Sequence, residues 1–117
     1  MSLKPSDIDN LSDALRALPS GLALQHLVAL LEVGRQTGLS VNDLADILAI
    51  PQQTASRYVA VLSGRYDNVD ALSQFSPLIE QRINERDPRR RALFLTDEGR
   101  EVLNTLLTTI KGNGEYK

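Results

Sequence analysis

Ser40-Val41-Asn42-Asp43-Leu44-Ala45-Asp46-Ile47-Leu48-Ala49-Ile50-Pro51-Gln52-Gln53-Thr54-Ala55-Ser56-Arg57 is the stretch on which the reading of this chain turns. Its first half carries a helix start. The Ser40 hydroxyl stands at an N-cap and the Asp43 carboxylate three residues on, a variant of the reciprocal capping box. Leu44, Ala45 and Leu48 then supply an inner face. Pro51 disfavours helix at Ile50 and suits the first position of a new one, so Ala49-Ile50-Pro51 is predicted to be a tight turn between two short helices. The second helix runs from Pro51 to about Leu62. Ala55, Val59 and Leu62 are predicted to be buried with Tyr58 alongside, leaving Gln52, Gln53, Thr54, Ser56, Arg57 and Ala60 on the opposite face.

Upstream, Ile8, Leu11, Leu15 and Leu18 recur at helical spacing, with Ser6 or Asp7 as the expected cap and Pro19 as the stop. A second helix is predicted from about Gly21 to Gly34, capped by Ser20. Its apolar residues (Leu22, Leu24, Leu27, Val28, Leu30 and Leu31) point to more than one face, so a central, well-buried helix is expected. Gly34 and Gly38 bracket a polar break before Ser40. Downstream, residues 63–77 give no firm pattern beyond a short helix around Val69–Gln74. Leu78 to Glu85 and Arg91 to Leu95 flank the turn-forming Asp87-Pro88-Arg89 and read as an antiparallel hairpin. Thr96 is placed to cap a last helix, with Asp97 and Glu98 in its first turn where the helix dipole favours anions. Val102, Leu103, Leu106, Leu107 and Ile110 form its apolar stripe, and residues 111–117 form a tail.

These elements predict one α+β, mostly α domain over residues 1–117: an N-terminal helix (1–19), a helix-turn-helix (40–62), a two-stranded β-hairpin wing (78–96) and a closing helix (97–110). At 117 residues and 42% apolar composition, the chain is large enough for one core. Its apolar runs are far below the ~20 residues of a membrane span, and Met1–Asp7 lacks the layout of a signal peptide. A soluble, cytoplasmic protein without a membrane partner is expected. Without cysteine, disulfides, thiolate metal sites and cysteine redox chemistry are excluded.

The net charge of −2 is unevenly spread. Three basic and six acidic side chains over residues 1–50 give −3, and seven and five over 51–91 give +2. The remaining three and four over 92–117 give −1. Arg82, Arg86, Arg89, Arg90 and Arg91 fall within ten positions. Such a patch either binds a polyanion, since only contacting charges release counterions, or simply solvates a hairpin.

A short helix, tight turn and second helix present the second helix's N-terminal residues to a DNA major groove. Gln52 and Gln53 suit bidentate pairing with adenine, Arg57 suits guanine or phosphate, and Thr54 and Ser56 suit phosphate oxygens or bases. No carboxylate lies between Ala49 and Arg65 to be repelled by phosphate. Leu44-Ala45-x-x-Leu48-x-Ile50-Pro51-x-x-Thr54-x-Ser56-Arg57, followed by Leu62, resembles the helix-turn-helix of the MarR family. Asp87-Pro88-Arg89-Arg90-Arg91-Ala92-x-x-x-Leu95-Thr96-x-x-Gly99 is similar to that family's wing and the start of its next helix. Both matches occur in the family's order, and the resemblance covers residues from about 20 to 110.

The resemblance implies a winged helix-turn-helix transcriptional regulator that binds double-stranded DNA as a homodimer on a pseudo-palindromic operator, with repression by occlusion the simplest mode. Carried over by position, Ser40, Thr54 and Ser56 would contact phosphates, and Gln52, Gln53 and Arg57 bases or backbone. Arg89 or Arg90, with Arg91 beside them, would reach the minor groove, and Asp87 would orient a wing arginine. A small-molecule effector between DNA-binding and dimer regions is also implied, although no polar cluster marks its site. The chain departs from the family pattern in a longer connection after Leu62 and in short terminal helices. Ile8, Leu11, Leu15 and Leu18 with Leu103, Leu106, Leu107 and Ile110 therefore either dimerise or close the monomer's own core.

Catalysis is not expected. The single histidine, His26, sits in the most apolar helix and reads as a packed core or interface residue. No nucleophile–base pair, metal-ligand set or Gly-rich phosphate loop is present in the sequence, so neither metal nor cofactor is implied. Two other readings use the same fold: a winged-helix protein-interaction module that docks an acidic partner through the arginine hairpin, and a plasmid or phage accessory DNA-binding protein.

Overall fold

The computed structural model describes residues 4–19, 22–64, 76–83, 85–87 and 91–110. Along these residues run α1 (Pro5–Arg16), α2 (Leu24–Arg35), α3 (Val41–Leu48), α4 (Gln52–Leu62), β1 (Ile79–Ile83), β2 (Arg91–Leu95) and α5 (Asp97–Ile110). The predicted class is observed: a mostly helical α+β winged helix-turn-helix with an antiparallel hairpin. The helix expected around Val69–Gln74 lies outside the described residues, as do the expected cap Ser20 and the turn residues Pro88, Arg89 and Arg90.

The cap of α3 is as its sequence implies. Ser40 Oγ accepts the Asp43 N–H at 3.0 Å, and the Asp43 carboxylate accepts the Ser40 N–H at 3.1 Å. Leu44 and Ala45 turn inward. The chain then leaves helix through Ala49, whose left-handed backbone (φ 57°, ψ 46°) redirects it into α4. Pro51 stands at the N-cap of α4, one position earlier than expected, and its carbonyl accepts the Thr54 and Ala55 N–H groups. Helix α4 buries Ala55, Val59 and Leu62 and ends there, so it does not extend into the long connection.

Helices α1 and α2 begin differently from expectation. Lys4, not Ser6 or Asp7, is the N-cap of α1, because Pro5 takes the first helical position where its missing N–H costs nothing. Helix α2 starts at Leu24, and its N-cap Ala23 has no side chain able to cap. His26 serves instead: its Nδ1 accepts the Ala23 N–H at 3.0 Å. Helix α2 also runs through Gly34, which lies against the side chains of Leu103 and Leu95 rather than ending the helix. It is buried on one face only. Leu27, Ala29, Leu30 and Val33 face the core, while Leu24, Val28 and Leu31 remain exposed. The neighbours α3, α4, α5 and β2 pack against α2.

The core gathers Leu30, Leu44, Leu62, Leu78, Ile79 and Leu93, all essentially sealed from solvent. Each such side chain contributes roughly 1.5–3 kcal/mol of burial before entropy. The hairpin pairs Ile79 with Leu95, Gln81 with Leu93 and Ile83 with Arg91, so this alternate set shares the core-facing side near its base. Glu80, Arg82, Ala92 and Phe94 form the other side. There the Arg82 guanidinium lies 4.4 Å from the Phe94 ring centroid and binds Glu80 at 2.7 Å.

Three backbone ties fix the wing to the helix-turn-helix. Leu39 forms a single-residue antiparallel bridge to Leu93, with Leu93 N–H donating to the Leu39 carbonyl and Gly38 N–H to the Leu93 carbonyl. The Leu78 N–H donates to the Leu62 carbonyl at 2.7 Å; within the wing itself, the Thr96 N–H donates to the Leu78 carbonyl at 3.0 Å. Thr96 caps α5 as expected: its Oγ1 accepts the Gly99 N–H at 3.0 Å while donating to the Pro77 carbonyl. Gly99 packs so tightly on the Leu78 backbone that a Cβ there would overlap the Leu78 carbonyl.

Candidate nucleic-acid interface

The outward face of α4 follows from its inward one. With residues 55, 59 and 62 buried, positions 52, 53, 56 and 57 stand on the opposite side. Gln52, Gln53, Ser56 and Arg57 are exposed there, and Thr54 is half-buried at the edge. Their amide, hydroxyl and guanidinium groups supply donors and acceptors for base edges and phosphates. No side chain caps the N-terminus of α4, so its first-turn N–H groups and the positive end of its dipole face outward with these residues.

Ser40 is placed otherwise. It is 8% exposed and its hydroxyl accepts the Asp43 N–H. In the structure it starts α3 and so aims α4. Of the wing residues, Arg91 is described and exposed on β2. It lines a cleft of about 420 Å³ with Ser63, Gln81 and Thr96, between the end of α4 and the hairpin. Arg89 and Arg90 lie outside the described residues. Arg82, also in the cationic run, is held on the flank of the wing by Phe94 and Glu80.

The apolar residues read as a dimer seam or core closure differ in burial. Leu103 and Leu106 are buried in the core, where Ala14 of α1 joins them. Ile8, Leu11 and Leu15 on α1 and Leu107 on α5 are 40–52% exposed. The side chain of Ile110 lies outside the described residues. A groove of about 410 Å³ runs between α2 and α5, floored by Leu31, Leu95, Leu103 and Leu107 and flanked by Arg35 and Arg100.

Sequence reasoning missed two supports of this face. The Leu39–Leu93 bridge gives no pattern, because a one-residue strand has no alternation to detect. The His26 contact with Tyr58, ring centroids 5.2 Å apart and edge to face, needs the packing of α2 on α4, which no local signal carries.

Residues 20–65, from the approach to α2 through the end of α4, match the family model described as the MarR family. The fold is similar to that of MarR-family winged helices. Solved MarR-like structures share the fold at low identity. The PcaV transcriptional regulator from Streptomyces coelicolor, solved with its natural ligand, is 22% identical with a TM-score of 0.61, over 77% of this chain and 56% of that one. MepR of S. aureus in complex with DNA is 17% identical with a TM-score of 0.67, over 94% and 77%. YusO from Bacillus subtilis is 20% identical with a TM-score of 0.62, over 92% and 64%. The chain thus spans little more than half the length of PcaV and under two thirds of YusO. No curated protein sequence matches it. Among the described residues, no helix is long and apolar enough to cross a membrane.

Proposed function

We propose that this MarR-like chain is a sequence-specific double-stranded DNA-binding transcriptional regulator, a repressor that occludes its operator as a homodimer in the cytoplasm of a prokaryotic or archaeal cell. One observation carries the reading: the exposed face of α4 holds Gln52, Gln53, Ser56 and Arg57 together, with no acidic side chain in α4. Arg57 pairs with guanine or phosphate, the glutamines read adenine, and Thr54 and Ser56 hold the backbone. Arg89, Arg90 and Arg91 carry the wing's charge toward the adjacent groove, where a narrow A·T-rich minor groove concentrates negative potential. The DNA complex of MepR supports this use of the fold.

The dimer part of the reading rests on Ile8, Leu11 and Leu15 with Leu107, apolar side chains that the single chain leaves at its surface. Large apolar side chains grouped on one helix face mark an association surface. Leu103 and Leu106 support that surface from within. A small-molecule effector, by analogy with PcaV and its natural ligand, would sit in the α2–α5 groove, whose floor of Leu31, Leu95, Leu103 and Leu107 suits an apolar body.

The test is duplex binding followed by fluorescence anisotropy across a salt series. Affinity falling linearly in log–log form with salt, and Arg57→Ala weakening specific binding by roughly 1–3 kcal/mol, is the expected result. An absence of binding to any duplex at low salt overturns it and points to a protein-interaction module.

A further inference from the structure

The single histidine of this chain joins two elements that the proposed function treats separately. Its Nδ1 accepts the N-cap amide of α2, from Ala23, at 3.0 Å. Its ring stands perpendicular to that of Tyr58 of α4, at a centroid distance of 5.2 Å and an interplanar angle of 89°. Only an imidazole with a free lone pair on Nδ1 can accept that amide, so the bond exists for the neutral ring alone. A protonated ring would lose it, and would add a positive charge at the helix end that already carries the positive pole of the dipole.

We propose that the His26–Tyr58 contact is a pH-sensitive joint, in which the neutral imidazole braces α4 in the DNA-reading position and protonation releases it. The inference rests on the proposed DNA-binding role of α4. Burial holds the His26 pKa below its ordinary value of 6.5, with no contribution from a neighbouring charge. Around the joint, α4 brings the Tyr58 phenol to the ring and carries Arg57 on its outward face. Residues 17–23 bring no charged group, and Glu32 and Arg35 of α2 pair with each other at the far end of that helix.

The sign follows from linkage. A histidine whose folded pKa is depressed favours the folded, neutral-ring arrangement fully above 6.5, and that support is lost as pH falls from 6.5 through the lower folded value. His26 is the only histidine, the side-chain type whose ordinary pKa lies between pH 7.5 and 5.5.

The experiment has two arms on the full chain. In the first, the imidazole of His26 is titrated by NMR while Tyr58 ring signals and α4 backbone amides are followed. A midpoint below 6.5 shared by Tyr58 and α4 is expected. A midpoint at or above 6.5, or α4 signals that ignore the titration, overturns the joint. In the second, affinity for a duplex selected from random DNA is measured at pH 7.5 and 5.5 at fixed salt. A loss of roughly three- to tenfold is expected. His26→Gln, whose amide oxygen at the same position can accept the Ala23 N–H without titrating, should remove that loss. An equal loss in His26→Gln overturns the proposal. If no duplex binds at any pH, the DNA-binding reading fails, whereas the NMR arm still decides whether His26 controls α4.

Discussion

Ala49 holds the turn between α3 and α4 with a positive φ of 57°, the one non-glycine residue to do so among those described. An L side chain in the left-handed region costs roughly 1–2 kcal/mol, and glycine there returns about 0.5–1 kcal/mol of that as chain entropy. Ala49→Gly should therefore stabilise the fold by up to about 1 kcal/mol in a urea melt. A clear loss of stability would show that the methyl group packs more than it strains. Gly99 presents the reverse situation, since any Cβ overlaps the Leu78 carbonyl backbone. Gly99→Ala should cost about 3 kcal/mol or more, because the obstacle is main chain that cannot rotate away; an unchanged melt would contradict the close approach of α5 to Leu78. The Thr96-x-x-Gly99 pattern was legible in the sequence, and so was the Thr96 cap. The need for glycine was not, because its cause is a contact with a residue twenty-one positions earlier.

Elements were legible where their signals are local. Helix α3 begins with a side-chain cap written into Ser40 and Asp43, and α5 with one written into Thr96. The start of α2 was not legible, because alanine stands at the N-cap and a histidine does the capping from inside the helix. The expected well-buried helix is buried on one face only, as periodicity reports which residues are apolar but not how many neighbours arrive to cover them. On the candidate site, the spacing of Ala55, Val59 and Leu62 fixed the outward face of α4. Ser40 carries a signal with two readings, since an N-cap serine and a phosphate-binding serine look alike in sequence, and the structure shows the cap. For the wing, Arg90→Ala should weaken binding nearly uniformly across sequences and lower the slope of log affinity against log salt by about one. A change in sequence preference at unchanged slope would mean that Arg90 reads bases instead.

At the scale of the whole molecule, α1 packs against α5 with Ala14 buried on one side and offers Ile8, Leu11 and Leu15 to solvent on the other. A charge in that face should leave the monomer's core intact and disrupt its association. Leu11→Glu is therefore expected to sediment as a monomer with a near-native melt, whereas the unsubstituted chain sediments as a dimer. Equal sedimentation of both would remove the α1 face from the interface. Dimer geometry in turn sets what α4 can read, since two recognition helices related by a two-fold axis demand half-sites about one helical turn apart or a multiple of it. The most direct measurement is selection of bound sequences from a random duplex pool. The account predicts enrichment of an inverted repeat with half-site centres about 10 bp or a multiple apart, lost in Arg57→Ala. Recovery of no sequence preference at all, at any salt concentration, would contradict it.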